Sequence, residues 1–595
     1  MTKAGGDKPE AQHSPALVAA LEAEEKVQQH LSHKCSFLLE AGAGAGKTYS
    51  LVEVLKSLLR DEAARLRRNN QQIACITYTN RAVEVISARI DGNSLVAVST
   101  IHAWCWSLLK AFQSALRKDL QSLDAWKERL ANGPPVAMQS VEYELGYRRI
   151  TETQISLHHD DVLELMANFL AMPKFRLILT SRFPYVLIDE YQDTNTVLMA
   201  AIKTHLIEAQ QGPLIGLFGD HWQRIYDETC GYVSSAELHE VGKKANFRSA
   251  TSIVSVLNKM RPELPQAFKD ETFAGSAKVF HTNSWKGTRR TGAGGGHWAG
   301  DLPVTEAHQY LQGCIAHLTN AGWDFAPEKT KVLLLTHNGL AAEQGYGTLA
   351  QAFRYNDLYV SKSDDHIAFF ADKLEPAIAA YRARRFGEMF DMLGEQAPRL
   401  TSRERKLQWS QAMDKLVELR ESATIGEVVD HLIKTKHPRL PEKVYSHEKE
   451  AAEWDDSSGI ELPEVIDRVR KMRAVSYTEM VALAQYLEGH TPFTTKHNVK
   501  GDEFENVLVV LGRGWNRYNF DQLLQWMANK GNIPQDRIST YERNRNLFYV
   551  TCSRPTTNLV LLFTQLLSPA SLALITSWFG ANQVIDVGNG EFPRP

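Results

Sequence analysis

The sequence lacks the features that mark several classes of protein. Its six cysteines are scattered through 595 residues without a CxxC pair, which argues against a zinc site or a disulfide framework. No apolar run approaches the roughly 20 residues that a transmembrane helix needs. Residues 1–12 are polar and show no signal-peptide pattern. We therefore expect a cytoplasmic protein with reduced thiols.

An excess of charge of one sign is also missing, since the formal net charge is −3. Bulk electrostatics therefore do not indicate a nucleic-acid-binding protein, and any contact with DNA requires a local basic groove. A hydrophobic fraction of 43% and a charged fraction of 23% are typical of soluble globular chains. The length corresponds to about three to five domains.

A loop of small residues is the feature around which the chain is organised. It follows an apolar run, precedes a helical pattern, and consists of Ala41, Gly42, Ala43, Gly44, Ala45, Gly46, Lys47 and Thr48. This order predicts a phosphate-binding loop, in which backbone N–H groups and a helix N-terminus bind a polyphosphate. Lys47 is expected to reach the β- and γ-phosphates, and Thr48 to bind Mg²⁺. The alternative is an ordinary Gly/Ala-rich turn, which the Gly-Lys-Thr sequence disfavours.

An acidic pair follows another apolar run, at residues 185–188. Opposite a phosphate loop, Asp189 can hold Mg²⁺ and its water shell, and Glu190 can act as general base on the attacking water. Such a pair is more often a solvated loop, but the phosphate loop favours the catalytic interpretation. A further strand-like run, residues 214–218, leads to Gln223, which is placed to sense the γ-phosphate by hydrogen bonding.

Hydroxyl, aromatic, amide and imidazole side chains follow two more strand-like runs. Thr77, Tyr78 and Asn80 follow the first run, and Thr100 and His102 follow the second. Because parallel strands present their carboxyl ends at one edge of a sheet, where ligands bind, we expect these side chains at a common edge. Each signal is weak alone, since a hydroxyl-rich turn is the alternative.

Taken in order, these segments resemble the motifs of UvrD/Rep/PcrA-like DNA helicases of superfamily 1. The AGAGxGKT, TxTNxA, DExQDxN, GDxxQxIY and NxRS motifs all have counterparts, the last at residues 246–249. Residues 495–504 match TxHxxKGxEF, and residues 545–554 resemble RxLxYVxxTRA with Ser-Arg-Pro in place of Thr-Arg-Ala. The resemblance implies an α/β fold with two RecA-like parallel-sheet domains, each with a helical insertion. It places ATP in the cleft between these domains and DNA across both.

The resemblance also suggests domain boundaries. The first RecA-like domain is assigned to residues 1–103 and 176–245, with its helical insertion at residues 104–175. The second RecA-like domain is assigned to residues 246–352 and 476–595. Its insertion is assigned to residues 353–475, where the helical pattern is strong and no catalytic motif is visible.

Further roles, and the cofactors ATP and Mg²⁺, rest on the family alone. Arg248 and Arg554 are expected to act as arginine fingers at the γ-phosphate. Tyr226 is expected to stack on adenine, and Glu503 to hold the ribose. The residues expected to contact DNA are Thr77, Tyr78, Asn80, Thr100, His102, Thr495 and His497. Among them Tyr78 is the candidate for base stacking, with a buried tyrosine at the sheet edge as the alternative.

The sequence departs from the family directly after Tyr226. Residues 227–231 read DETCG, where the family has an arginine-aromatic-arginine-Gly-Ala string. An expected stacking aromatic and two positive charges are therefore missing, so the grip on the strand is weaker or built differently. The glutamine that normally reads adenine has no clear counterpart, and Gln28 and Gln29 are the nearest candidates.

Two functions remain open at this point. The leading hypothesis is an ATP-dependent translocase and helicase that moves 3′-to-5′ on single-stranded DNA. The alternative is a DNA-stimulated regulatory ATPase that controls a partner nuclease. It arises because the short chain and the altered string after Tyr226 are similar to Gabija-type anti-phage helicase subunits, which pair with an OLD-like nuclease. A P-loop kinase or metabolic ATPase is disfavoured, since it would need neither motif of the second half.

Overall fold

The fold is described from a computed structural model of the chain. The structure describes residues 14–143, 147–209, 212–225, 228–291, 299–334, 337–456, 461–495, 502–512 and 518–593. Among these residues, no helix combines the length and the apolar character needed to cross a membrane.

The strands are short, and most of the longer ones are apolar and buried. In chain order they are β1 (Phe37–Ala41), β2 (Ile73–Thr77), β3 (Val96–Thr100), β4 (Ser140–Tyr143), β5 (Arg149–Ile150), β6 (Gln154–Leu157), β7 (Tyr185–Asp189), β8 (Leu214–Gly219), β9 (His239–Lys243), β10 (Ala245–Asn246), β11 (Ala267–Phe268), β12 (Ser276–His281), β13 (Thr330–Leu334), β14 (Phe493–Thr495), β15 (Phe504–Leu511), β16 (Pro555–Phe563) and β17 (Val584–Asp586).

Helices separate most of the strands and dominate two long segments. The first group is α1 (Pro15–Ser32), α2 (Lys47–Arg68), α3 (Asn80–Arg89), α4 (Ile101–Leu109), α5 (Gln113–Asp119), α6 (Asp124–Asn132), α7 (His159–Leu170), α8 (Pro173–Arg182), α9 (Thr196–Ile202), α10 (Thr251–Met260), α11 (Val304–Asn320), α12 (His337–Gln344) and α13 (Gly347–Gln351). The second group is α14 (Asp357–Val360), α15 (Asp365–Phe369), α16 (Glu375–Arg382), α17 (Phe386–Leu393), α18 (Arg403–Ser422), α19 (Ile425–Thr435), α20 (Glu442–Glu453), α21 (Glu464–Arg473), α22 (Tyr477–Leu487), α23 (Phe520–Ala528), α24 (Ile538–Cys552) and α25 (Pro569–Phe579).

Single turns of other helix types complete the description. Two π-helical turns, Lys203–Ile207 and Phe370–Leu374, continue α9 and α15. The 3₁₀ turns are Leu120–Ser122, Tyr191–Asp193, His221–Gln223, Gly394–Gln396, Lys530–Asn532, Gln535–Arg537 and Ala581–Gln583.

A six-stranded sheet of order β3-β2-β7-β8-β1-β9 forms the centre of the first half. Every neighbouring pair in it is parallel. Successive side chains of β1 enter opposite cores, since Leu38 packs in one apolar cluster and Leu39 in another. Both faces of this sheet are therefore covered, as expected for an all-parallel sheet. The carboxyl ends of its central strands consequently form the open edge where ligands bind.

A second six-stranded sheet has the order β14-β13-β15-β16-β12-β17. In it β13 pairs in parallel with β14 and β15, and β12 pairs in parallel with β17. The predicted fold class, α/β with two RecA-like parallel-sheet domains, is confirmed.

The two segments predicted as helical insertions differ in content. Within residues 353–475, the described residues form helices and no strand. Within residues 104–175, a three-stranded sheet of order β4-β6-β5 accompanies the helices. The sequence analysis did not predict this sheet, because strands of two to four residues are too short to show an alternating apolar pattern.

Packing divides the chain into two compact units. Unit 1 comprises Met1–Lys278, Gln522–Leu559 and Pro569–Gln583, and unit 2 comprises Val279–Asp521, Val560–Ser568 and Val584–Pro595. Residues 246–278 and 522–559 thus pack within unit 1, although the sequence analysis assigned them to the second RecA-like domain. The domain boundaries given there stay a prediction.

Candidate nucleotide site

The phosphate loop lies between β1 and α2. Gly44 and Gly46 have positive φ angles of 74° and 76°, in the left-handed region that favours glycine. A Cβ atom on Gly44 would also lie 2.8 Å from the Oδ1 atom of Asn246. Because Gly46 has no side chain to cap α2, the N–H groups of the first turn face the loop without a side-chain acceptor. These groups, including those of Lys47 and Thr48, suit a bound polyphosphate.

Side chains from outside the loop hold its backbone in place. The carbonyl oxygen of Ala43 accepts hydrogen bonds from Asn246 Nδ2 at 3.2 Å and Gln266 Nε2 at 3.0 Å. The carbonyl oxygen of Gly44 accepts a hydrogen bond from the N–H group of Phe247 at 2.9 Å. The segment that carries the NxRS motif is therefore attached directly to the phosphate loop.

The acidic pair stands at the carboxyl end of β7. Lys47 Nζ lies 3.7 Å from Glu190 Oε1. Glu190 has a left-handed backbone with a φ of 50°, and Gln192 donates a hydrogen bond to its carboxylate. Burial and the neighbouring charge of Glu190 raise the pKa of Asp189 to about 7, against the opposing effect of Lys47. Crowded negative charge at a phosphate loop fits a site for a divalent cation, with Asp189 and Thr48 as the candidate ligands.

Gln223 lies in the 3₁₀ turn that follows β8. Its Nε2 atom donates a hydrogen bond of 2.7 Å to Asp220 Oδ2, and Asp220 Oδ1 accepts one of 3.0 Å from the N–H group of Trp222. The amide oxygen of Gln223 accepts a hydrogen bond of 3.4 Å from Arg554 Nη2. A side chain predicted to sense phosphate is therefore in contact with a predicted arginine finger.

The two predicted arginine fingers lie close to one another within unit 1. Arg554 is 1% exposed, and its Nε atom donates a hydrogen bond of 3.1 Å to the carbonyl oxygen of Val550. Arg248 Nη1 donates one of 3.4 Å to the carbonyl oxygen of Ser553. Burial, followed by the positive charge of Arg248, lowers the pKa of Arg554 to about 10, while Glu190 opposes this shift. An anion at this position would relieve the repulsion between the two guanidinium groups.

The residues predicted to contact DNA follow β2 and β3, which are neighbours in the sheet. Thr77 is in register with Thr100, so these two strand ends lie side by side, as expected. Tyr78 is 44% exposed, which rules out the alternative of a buried tyrosine. Thr100 Oγ1 caps α4, and the ring of His102 contacts that of His159 with centroids 5.1 Å apart. Asn80 is exposed in the first turn of α3, whereas Thr77 is buried.

Comparison with known proteins shows what the chain is similar to. A family model described as "AAA domain" matches residues 23–229. The chain is 23% identical to the Gabija protein GajB of Bacillus cereus (strain HuB5-5), over 88% of this chain and 92% of that protein. It is 25% identical to the ATP-dependent DNA helicase Rep of Buchnera aphidicola subsp. Baizongia pistaciae (strain Bp), over 40% of this chain and 42% of Rep. It is 22% identical to the ATP-dependent DNA helicase PcrA of Staphylococcus aureus (strain Mu50 / ATCC 700699), over 38% of this chain and 37% of PcrA.

The chain is thus similar to UvrD/Rep/PcrA-like proteins of helicase superfamily 1. The matched family model covers the phosphate loop, the acidic pair and Gln223 of this UvrD-like chain. Arg248 and Arg554 lie outside it, and the structure of unit 1 brings both to the same site.

Several family positions lie outside the described residues or outside unit 1, and one has another partner. Tyr226 and His497 fall outside the described residues, as does the side chain of Thr495. Glu503 is exposed in unit 2, directly before β15. Gln28, a candidate for reading adenine in this UvrD-like chain, accepts a hydrogen bond of 2.9 Å from Ser57 Oγ in α2. These predictions about ribose and adenine recognition stay predictions.

The sequence analysis of this UvrD-like protein missed a buried ionic cluster beside the site. Glu40 in β1, Asp220 and His221 offer ligand atoms within 4.8 Å of one another. The guanidinium group of Arg261 bridges the two carboxylates, so arginine supplies the positive charge there. A charged residue within the apolar run before the phosphate loop was the available signal for Glu40, whereas nothing in the sequence around Arg261 indicated its position.

Proposed function

We propose that this chain is an ATP-dependent DNA helicase or translocase that couples Mg-ATP hydrolysis to movement 3′-to-5′ along single-stranded DNA. The observation that carries the proposal is the convergence of phosphate-directed groups from distant parts of the sequence. Lys47 forms an ion pair with Glu190, and Gln223 accepts a hydrogen bond from Arg554. Such a combination of a phosphate loop, a general base and arginine fingers is the machinery of phosphoryl transfer.

Each group has a defined role in the proposal. Lys47 and the N–H groups of the loop bind the β- and γ-phosphates, and Glu190 orients the attacking water and accepts its proton. Arg554 and Arg248 stabilise the charge that develops on the transferred phosphoryl group. When bound, Mg²⁺ neutralises charge on the β- and γ-phosphate oxygens, and Thr48 and Asp189 would hold it.

The DNA strand is proposed to cross the edge formed by the ends of β2 and β3. The exposed ring of Tyr78 offers a stacking surface for a base, and the neighbouring hydroxyl and imidazole groups suit the phosphate backbone. The direction of movement and the partition into two alternating RecA-like lobes follow from the family. Localisation in the cytoplasm is part of the same proposal.

Two assays on the purified chain test this proposal. We expect ATP hydrolysis that single-stranded DNA stimulates, and displacement of a strand from a duplex with a 3′ overhang. Lys47→Ala should abolish both while leaving the melting temperature within a few degrees. Lys56→Ala, which removes an exposed lysine of the same helix, is the matched control and should retain wild-type rates. ATP turnover by Lys47→Ala would refute the assignment of the phosphate loop.

A second candidate function is a DNA-stimulated regulatory ATPase that controls a partner nuclease in antiviral defence. The coverage of the relatives favours it, since the similarity to GajB spans 88% of this chain and that to Rep only 40%. The partner proposed is an OLD-like nuclease. Strong DNA-stimulated ATP hydrolysis without strand displacement would favour this function over that of a helicase. A nuclease that co-purifies with the chain, and whose DNA cleavage changes with ATP, would establish it.

A further inference from the structure

We propose that Arg261 is a positioning residue for ATP hydrolysis, which fixes the phosphate-sensing amide of Gln223 through Asp220. The inference rests on the proposed ATPase function, and it assigns a role to a residue outside the motifs. Arg261 directly follows the end of α10 and is 2% exposed. A buried arginine needs a specific set of partners, because an unpaired charge in a protein interior is strongly unfavourable.

The partners of Arg261 are two carboxylates from different parts of the site. Its Nη1 atom lies 2.6 Å from Asp220 Oδ1, and its Nη2 atom lies 2.8 Å from Glu40 Oε1. Glu40 belongs to β1, the strand that leads into the phosphate loop, and Asp220 directly follows β8. The planar fork of one guanidinium group therefore joins the ends of two adjacent strands.

The carboxylate of Asp220 transmits this constraint to the sensor. Its Oδ1 atom accepts from Arg261, and its Oδ2 atom accepts from Gln223 Nε2 at 2.7 Å. With the nitrogen of the amide held in this way, the oxygen of Gln223 points to Arg554 Nη2 at 3.4 Å. Through Asp220, Arg261 thus helps to keep the oxygen of the Gln223 amide, and not its nitrogen, directed at Arg554. Although burial opposes ionisation, the charge of Arg261 keeps the pKa of Asp220 below its ordinary value.

Further contacts leave the guanidinium group little freedom. It lies over the rings of Trp222 and Tyr549, with its carbon atom 5.2 Å and 5.8 Å from the two ring centroids. Tyr549 belongs to α24, the helix that ends just before Arg554. On the other side, Glu40 also accepts a hydrogen bond of 2.9 Å from the hydroxyl of Tyr191. Only a planar, bidentate group satisfies this geometry, which a lysine ammonium group does not reproduce.

The test compares the wild type with Arg261→Lys, which keeps the charge and removes the bridge. We expect kcat for DNA-stimulated ATP hydrolysis to fall at least tenfold, with KM for ATP changed less than threefold. A purely structural role would lower the melting temperature without this division between kcat and KM. The matched control is Arg420→Lys, which alters a partly buried ion pair with Glu375 in unit 2 and should retain wild-type kcat. Wild-type kcat in soluble, folded Arg261→Lys would overturn the inference.

A second variant applies if Arg261→Lys does not fold. Glu40→Gln retains both Arg261 and Asp220 but removes the carboxylate that anchors the guanidinium group from the other side. We expect at least a threefold loss in kcat at an unchanged KM, and an unchanged kcat would contradict the inference. Absence of ATP hydrolysis from the wild type would instead refute the proposed function. Wild-type turnover that Lys47→Ala abolishes would support that function whatever the result for Arg261.

Discussion

Arg554 Nη2 lies 3.4 Å from Gln223 Oε1, although 331 positions separate the two residues in the sequence. Both side chains are buried, with exposed fractions of 1% for Arg554 and 5% for Gln223. The positive charge of Arg248 acts against the charge of Arg554, whereas the negative charge of Glu190 favours it. This arrangement suits a guanidinium group that contacts the γ-phosphate of a nucleotide bound at the phosphate loop.

Removal of Arg554 tests its assignment as an arginine finger. We expect Arg554→Ala to lower kcat for ATP hydrolysis by a factor on the order of 10³–10⁵, because the charge on the transferred phosphoryl group loses its partner. Binding of a non-hydrolysable ATP analogue should weaken much less. Arg537→Ala, which removes an exposed arginine, is the control. Turnover within tenfold of the wild type in Arg554→Ala would assign that arginine a structural role.

The general base is tested by Glu190→Gln, which keeps the size of the side chain and removes its charge. We expect the variant to bind ATP and single-stranded DNA and to show no hydrolysis, because an amide cannot accept the proton of the attacking water. Equilibrium binding of a fluorescent ATP analogue and steady-state turnover measure the two properties separately. Loss of ATP binding would indicate that Glu190 supports the loop through its contact with Lys47 instead of acting as the base.

The contribution of Tyr78 to strand binding follows from its exposure. We expect Tyr78→Ala to weaken the affinity for single-stranded DNA by about 1–3 kcal/mol, which is roughly 5- to 150-fold, with basal ATP hydrolysis unchanged. Fluorescence anisotropy with a labelled oligonucleotide measures this effect. Tyr355→Ala, which removes another exposed tyrosine, is the control. An unchanged DNA titration would remove Tyr78 from the proposed strand path.

The sequence predicted those parts of the site that local patterns encode. The phosphate loop, the acidic pair and Gln223 each follow an apolar strand, so period and composition were sufficient to place them. The resemblance to the family added Arg248 and Arg554, which no local pattern distinguishes from surface arginines. Gln266 and Arg261 were missed because their roles depend on distant partners, Ala43 in one case and Glu40 and Asp220 in the other. Such contacts arise from tertiary packing and leave no periodic signal.

The backbone of the phosphate loop provides the last prediction. Gly44→Ala introduces a Cβ atom 2.8 Å from both Asn246 Oδ1 and Arg248 Cβ, at a φ of 74°. Gly92→Ala is the matched control, because Gly92 has a φ of 58° and nothing within 4 Å of the added atom.

Both variants carry the strain of a left-handed backbone, about 1–2 kcal/mol, and the close contacts at Gly44 should lower the melting temperature of Gly44→Ala further than that of Gly92→Ala. Only Gly44→Ala should also lose ATP binding, because it displaces the side chain of Asn246 that holds the carbonyl group of Ala43. Isothermal titration with a non-hydrolysable ATP analogue distinguishes the two variants. Equal affinities in both would show that the contact between the NxRS segment and the loop does not shape the nucleotide site.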